Sequence, residues 1–167
     1  MKAKIFRVCA VLFLLLLFVP GADAKKKRIM QVMGGATVGT MGFIIDASYD
    51  PRLDKLVPGY KVINVIIINE SFNIIHMDVS RDKWSIKIAD KKKTIPAIHS
   101  LRSQKPGVWS DLPAKVRNVI GYPLIIPIGG RIVFDLFVPE GYDVSKFNEL
   151  RAFFRSYNTR FDIMVTQ

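Results

Sequence analysis

Apolar and polar positions divide this chain into short bounded runs. The most apolar is residues 60–68, launched by Pro58-Gly59 and stopped by Asn69-Glu70-Ser71. Val and Ile dominate it, and their stiff branched side chains suit a pleated strand. One face carries Tyr60, Val62, Asn64, Ile66 and Ile68; the other carries Lys61, Ile63, Val65 and Ile67. A strand covered on one side alternates cleanly, whereas here both faces are mostly apolar. The pattern therefore predicts a central core strand with cover on both sides. We expect Ile63, Val65 and Ile67 beneath an inserted helix or beneath residues 43–45, and Val62, Ile66 and Ile68 facing Trp84 and Phe134.

Other runs have a single period. Residues 83–89 alternate, with Trp84, Ile86 and Ile88 on one face and Lys83, Ser85 and Lys87 on the other, as in a half-buried strand. Asp90-Lys91-Lys92-Lys93 makes a polar turn into a strand at 94–99, which Pro96 marks as an edge. Residues 100–107 read as a basic loop. Between 110 and 120 the period changes, because Leu112, Val116, Val119 and Ile120 fall at i, i+4, i+7 and i+8. Ser110 is a good N-cap, Asp111 suits the positive helix end, Pro113 is tolerated in the first turn and Gly121 ends it. This predicts one short amphipathic helix. After an extended stretch at 122–128 and a Gly129-Gly130 turn, residues 131–138 predict a strand with Ile132, Phe134, Leu136 and Val138 inward. Residues 144–150 predict a helical turn and 151–155 a strand. The last strand, 160–166, has Phe161, Ile163 and Val165 inward and Arg160, Asp162 and Met164 outward. About seven short strands with a hairpin and long returns point to a mainly β Greek-key sandwich carrying one inserted helix at about 110–120.

The first 24 residues follow another pattern. Lys2, Lys4 and Arg7 precede an apolar run at 8–19, Pro20-Gly21 breaks it, and Ala22-Asp23-Ala24 places small residues where signal-peptide cleavage needs them. The run is too short to span a bilayer comfortably. We expect a secretory signal cut after Ala24, with an uncleaved anchor as the alternative, and hence an exported protein of a bacterial periplasm or cell envelope. Residues 25–45 form a basic, glycine-rich lead-in that opens with Lys25-Lys26-Lys27-Arg28. Its Gly35-x-x-x-Gly39 spacing is that of close-packed membrane helices, but the segment is short and carries Gln31, Thr37 and Thr40. A partly extended lead-in is expected, its end at 43–45 adding the first strand. Residues 46–167 form the sandwich domain, and no transmembrane span is expected in the mature chain.

Charge changes the picture more than composition does. The 167 residues carry 25 Lys and Arg against 14 Asp and Glu, a formal balance of +11. Such a balance favours anionic partners. We expect an anionic envelope lipid or glycan, or another envelope protein. Arg151-Ala-Phe-Phe-Arg155 has the basic-aromatic look of a nucleic-acid surface, but its Phe residues suit the core and export makes nucleic acid unexpected. The candidate binding surface comprises Lys91, Lys92, Lys93, Trp109, Arg117 and Tyr122. The three lysines can equally serve to block edge-to-edge pairing.

Motifs for catalysis are missing. The single cysteine, Cys9, lies in the segment expected to be removed, so the mature chain has no disulfide, thiolate ligand or thiol nucleophile. Asp46, Asp50 and Asp54 lack the alternate spacing and glycine of a calcium loop, and Asp50-Pro51 is a turn starter. His76 and His99 are the only histidines, no Gly-x-Ser-x-Gly elbow occurs, and Gly34-Gly35 lacks the Lys-Ser/Thr of a phosphate loop. No cofactor and no metal are expected. A carboxylate pair involving Glu149 or Asp111 stays open.

Three stretches resemble the small exported immunoglobulin-like domains of bacterial envelopes. They are the tyrosine-led Val/Ile strand ending in Asn69-Glu70-Ser71, the Trp84 strand running into a lysine-rich turn, and Pro127-Ile128-Gly129-Gly130 followed by an apolar strand and Val138-Pro139. The likeness covers residues 56–166. The helix at 110–120 is an insertion relative to it, and lysines replace the usual glycine of the strand-pair turn. It implies a two-sheet sandwich outside the cytoplasm and no particular chemistry. The leading expectation is a non-enzymatic exported protein that binds or scaffolds envelope components. The alternatives are a protein-binding or chaperone-like module that accepts a strand near 94–99 or 160–166, and a hydrolase without a visible motif.

Overall fold

The computed structural model describes residues 27–32, 42–89 and 94–165. The expected signal at 1–24 and the Lys91-Lys92-Lys93 turn lie outside them. The described strands are β1 (Lys27–Val32), β2 (Phe43–Tyr49), β3 (Tyr60–Asn69), β4 (Ile75–His76), β5 (Lys83–Ile88), β6 (Thr94–Ala97), β7 (Ile125–Ile126), β8 (Arg131–Pro139), β9 (Phe147–Phe154) and β10 (Thr159–Met164). They form a five-stranded sheet in the order β1-β10-β9-β5-β6, a three-stranded sheet β2-β3-β8 and a two-stranded ribbon β4-β7. Every pairing is antiparallel except β1 with β10. The fold is mainly β, a sandwich with a helical insertion.

β3 is the middle strand of its sheet, and its inward face differs from the expected one. Ile63, Val65 and Ile67 are fully buried in one cluster with Trp84 and Phe134. The reason is register: Val65 sits directly opposite Phe134 on β8, and directly opposed residues share a face of the sheet. Val62, opposite Phe137, falls on the other face with Leu101, Leu112 and Ile120. Ile66 and Ile68 stay half-exposed. Among the described residues, the second face is thus covered only at its Val62 end. Across the main core, Trp84 meets Phe134 and Phe154 edge-on at 5.3 and 5.5 Å. Phe154 in turn meets Phe161 at 5.3 Å. Ring pairs of this geometry add to the area they bury.

The helical insertion exists but is neither single nor bounded as expected. It consists of α1 (Leu101–Gln104), α2 (Pro106–Asp111) and α3 (Ala114–Arg117). Ser110 caps nothing, since it lies inside α2 and its hydroxyl donates to the Gly107 carbonyl at 2.7 Å. The working cap is Ser100, whose side chain accepts from the Ser103 amide. Pro113 explains the break. A residue before proline is pushed out of the helical region, and Leu112 has φ −72 and ψ 142. Leu112 and Ile120 still pack inward, but Val119 is 71% exposed.

Three further expectations are corrected. The helical turn at 144–150 is only Val144–Lys146, after which β9 begins. Asp162 is buried instead of outward, because Arg160 reaches it at 2.8 Å and Arg151, on the opposed position of β9, at 3.7 Å. The β10 edge proposed for partner strands is already paired with β1, from within the basic lead-in. β6 does lie at a sheet edge, with Pro96 exposed, as its sequence implied.

Substitution separates the two faces of β3. Ile63→Ala leaves a hole in the main core and is expected to lower unfolding free energy by about 3 kcal/mol. Ile66→Ala should cost less than about 1 kcal/mol. Urea denaturation of both variants checks this; equal losses would contradict the orientation.

Candidate functional site

The insertion leaves the sandwich at the end of β6. Ile98 exchanges two backbone hydrogen bonds with Phe137 of β8, both 2.8 Å. This bridge places His99 against the core before Ser100 starts α1. Leu101, Leu112 and Ile120 then anchor the insertion on Val62 and Phe137. Three short helices cannot lie flush on a twisted sheet, and a cavity of about 580 Å³ remains. Its wall includes His99, Arg102, Trp109, Arg117, Tyr122 and Leu124.

The floor is held by buried hydrogen bonds. Tyr122 donates its hydroxyl proton to Asp82 Oδ2 at 2.9 Å and accepts from Trp84 Nε1 at 3.0 Å. Asp82, 3% exposed, also accepts from the backbone amides of Asp78 at 2.7 Å and Arg155 at 2.9 Å. A buried carboxylate is tolerated only when it is hydrogen-bonded this fully. Burial, reinforced by the adjacent Asp82 charge, pushes the Tyr122 phenol well above its ordinary value. Tyr122 is therefore neutral and positions the wall.

His99 is 2% exposed, and its ring lies 4.5 Å from that of Tyr122. Nε2 is 2.9 Å from the Val79 carbonyl. A carbonyl only accepts, so the proton is assigned to Nε2. Nδ1 is buried without a hydrogen-bond partner among the described residues. Burial holds the imidazole below its ordinary value, against the opposing influence of the Val79 carbonyl and of Asp82. His99 gives its proton to a carbonyl and Asp82 gives its acceptors to Tyr122 and two amides, so the pair assembles no proton relay to a nucleophile. Among the described residues, no group of three or more His, Cys, Asp or Glu side chains could hold a metal ion.

The cationic wall differs from this floor. Among the described residues neither Arg102 nor Arg117 has an ion pair or a side-chain hydrogen bond. Of the other arginines, Arg52 is tied to Asp50, Arg81 to Asp78, Arg151 to Glu149 and Arg160 to Asp162, whereas Arg131 and Arg155 also have no side-chain ion pair among the described residues. Trp109 and Arg117 are half-buried and Arg102 is exposed, and all three line the cavity. The cavity thus offers two positive charges, a large aromatic face and the apolar side chains of Leu124 and Ile120.

Of the residues selected from sequence, Trp109, Arg117 and Tyr122 meet in this one cavity wall. Lys91, Lys92 and Lys93 lie outside the described residues. His99 and Arg102 were missed. The available signal was Ser100 as an N-cap, which would have turned the supposed loop into a helix and placed Arg102 on it. His76, by contrast, is exposed, and its backbone amide donates to the Tyr157 hydroxyl at 3.1 Å. No family model, curated protein or solved structure matches this chain.

Two measurements probe the floor. Asp82→Ala strips the acceptor from three donors, and each buried donor left bare costs about 1–3 kcal/mol. A loss of about 3 kcal/mol or more is expected in chemical denaturation, against a far smaller loss for Asp78→Ala at the exposed turn. His99 gives a pH signature. Its folded proton affinity is depressed, so the unfolded chain binds the proton first as pH falls, and stability drops below about pH 6.5. Thermal melts of the wild type and His99→Gln should therefore converge between pH 7.5 and 5.5, with the wild type alone losing ground in that window.

Proposed function

We propose that this protein is an exported, non-enzymatic β-sandwich that binds a small anionic amphiphile of the cell envelope in the cavity beneath its helical insertion. The observation that carries this reading is the convergence of Arg102 and Arg117, both unpaired among the described residues, with Trp109 on one cavity of about 580 Å³. Guanidinium groups match phosphate and carboxylate geometry and are weakly hydrated, so they suit anions in a partly apolar site. A cavity of this size, mostly apolar with a few convergent polar groups, is of the kind that takes small molecules. The signal-like pattern of the first 24 residues supports export. The antiparallel layers closing on Trp84 support reading the domain as immunoglobulin-like, and the binding role follows from the cavity rather than from that likeness.

The outer edge of β6, unpaired among the described residues, supports the strand-accepting alternative less well. It spans four residues, and Pro96 removes a backbone donor.

Titration with a short-chain alkyl phosphate, followed through tryptophan fluorescence, tests the reading. Saturable binding is expected, lost in Trp109→Phe as a signal and weakened about tenfold or more in Arg102→Gln/Arg117→Gln, the equivalent of about 1.4 kcal/mol. An uncharged alkyl glycoside of the same length should bind no better than to that double variant. A wild type that binds phosphate and glycoside amphiphiles alike would remove the anion from the proposal.

A further inference from the structure

The cavity opens beside an exposed apolar surface. In the β4-β7 ribbon Ile75 lies opposite Ile126 and His76 opposite Ile125. Ile75 and Ile126 are buried; the outward pair is His76 and Ile125, the latter 56% exposed, and Ile74, just before β4, is 47% exposed. Phe72, Leu124 and Ile128 flank them at 93%, 61% and 58%. Leu124 belongs to both this surface and the cavity wall.

These side chains stand on tethered backbone. Asn69 is fully buried. Its amide nitrogen donates to the carbonyls of Asn73, Ile126 and Pro127 at 2.8, 3.1 and 3.0 Å. Its Oδ1 accepts from the Ser71 amide and hydroxyl. Its own backbone pairs with Gly129 and Gly130. One side chain thus ties the Phe72 loop to the Ile128 loop. Grouped, exposed apolar side chains on a tethered frame mark a contact surface.

Charge selects the occupant. Residues 94–134 hold five basic residues, Arg102, Lys105, Lys115, Arg117 and Arg131, against the single acid Asp111, and Lys91-Lys92-Lys93 come just before. Glu70 is the one acid in the Phe72 loop. Five side chains fall short of the about 800 Å² that a stable protein interface buries on each partner. They suit shallow insertion at a bilayer surface, where anionic lipid attracts the basic flank. We propose that the ribbon is the face on which this protein docks on an anionic bilayer, and that the amphiphile of the cavity reaches it as the phosphate-bearing headgroup of a membrane lipid. The lipid's identity rests on the amphiphile reading; the docking contact does not.

Hydrogen exchange of the full chain reports on the contact locally, whatever its first segment does. Vesicles of mixed phosphatidylglycerol and phosphatidylcholine are expected to slow exchange at residues 70–77 and 123–129 by about tenfold, and vesicles of phosphatidylcholine alone should not. In Phe72→Ser/Ile125→Ser, two exposed positions, the slowing should vanish while the fluorescence response to soluble alkyl phosphate persists. No slowing, equal slowing by both vesicles, or slowing that survives the double substitution overturns the proposal. Slowing of the same loops without vesicles, rising with protein concentration, assigns the face to a second copy and also overturns it. Slowing by anionic vesicles with no response to soluble alkyl phosphate supports docking and overturns the cavity reading instead.

Discussion

A single buried carboxylate holds the two halves of this molecule in register. Asp82 stands just before β5, accepts from the backbone where the chain leaves β9, and grips the hydroxyl of Tyr122 on the far side of the insertion. Trp84, two residues along, closes the circuit on the same hydroxyl. A charge in such a place is costly unless every lone pair is used. The arrangement is therefore all or nothing: it specifies where the segment after the insertion must sit. The cavity wall and the ribbon beyond it both inherit their position from that constraint.

The insertion has the opposite character. Its helices are one or two turns long, too short to be stable on their own, and they are held by a few apolar anchors on Val62 and Phe137. Short rods laid on a twisted sheet leave gaps. Here the gap is lined partly by buried anchors such as Ile120 and Tyr122 and partly by Arg102 and Arg117, which have no ion pair among the described residues. Ile66 and Ile68, beyond the reach of the insertion, stay half-exposed for the same geometric reason.

What could be read from the amino-acid order depended on whether a rule had one answer. β5, β8 and β10 each turn one alternating face to the main core, so period two names their residues there, and Trp84, Phe134, Leu136, Phe161 and Ile163 all lie where alternation puts them; Phe137, buried on the other face of β8 by the insertion, does not follow from that period. β3 is apolar on both faces, and only its register with β8 decides which face meets Trp84. The helix at 110–120 was half legible, since its apolar spacing is real but Pro113 acts on the residue before it. Asp162 was misplaced because alternation alone does not show that Arg160, two residues before it, and Arg151 on β9 both reach it. Trp109, Arg117 and Tyr122 stood out as large or charged groups in a loop-like region. Their convergence with Arg102 and His99 depends on the Ile98–Phe137 bridge, a pairing between distant residues that no local pattern encodes. The two-residue strands of the ribbon are too short for any periodicity to register.

The parallel pairing of β1 with β10 joins Lys27 to Thr159, nearly the whole chain apart. Contacts of such long separation form late, because the loop must close before the pairing repays its entropy. The five-stranded sheet therefore assembles with β10 as a bare rim and gains its last strand from the opposite end of the chain. Until that moment a row of unpaired backbone groups is open to any extended segment nearby. The lead-in thus acts as a seal, and the interval before it closes is when this protein is most exposed to joining the wrong neighbour.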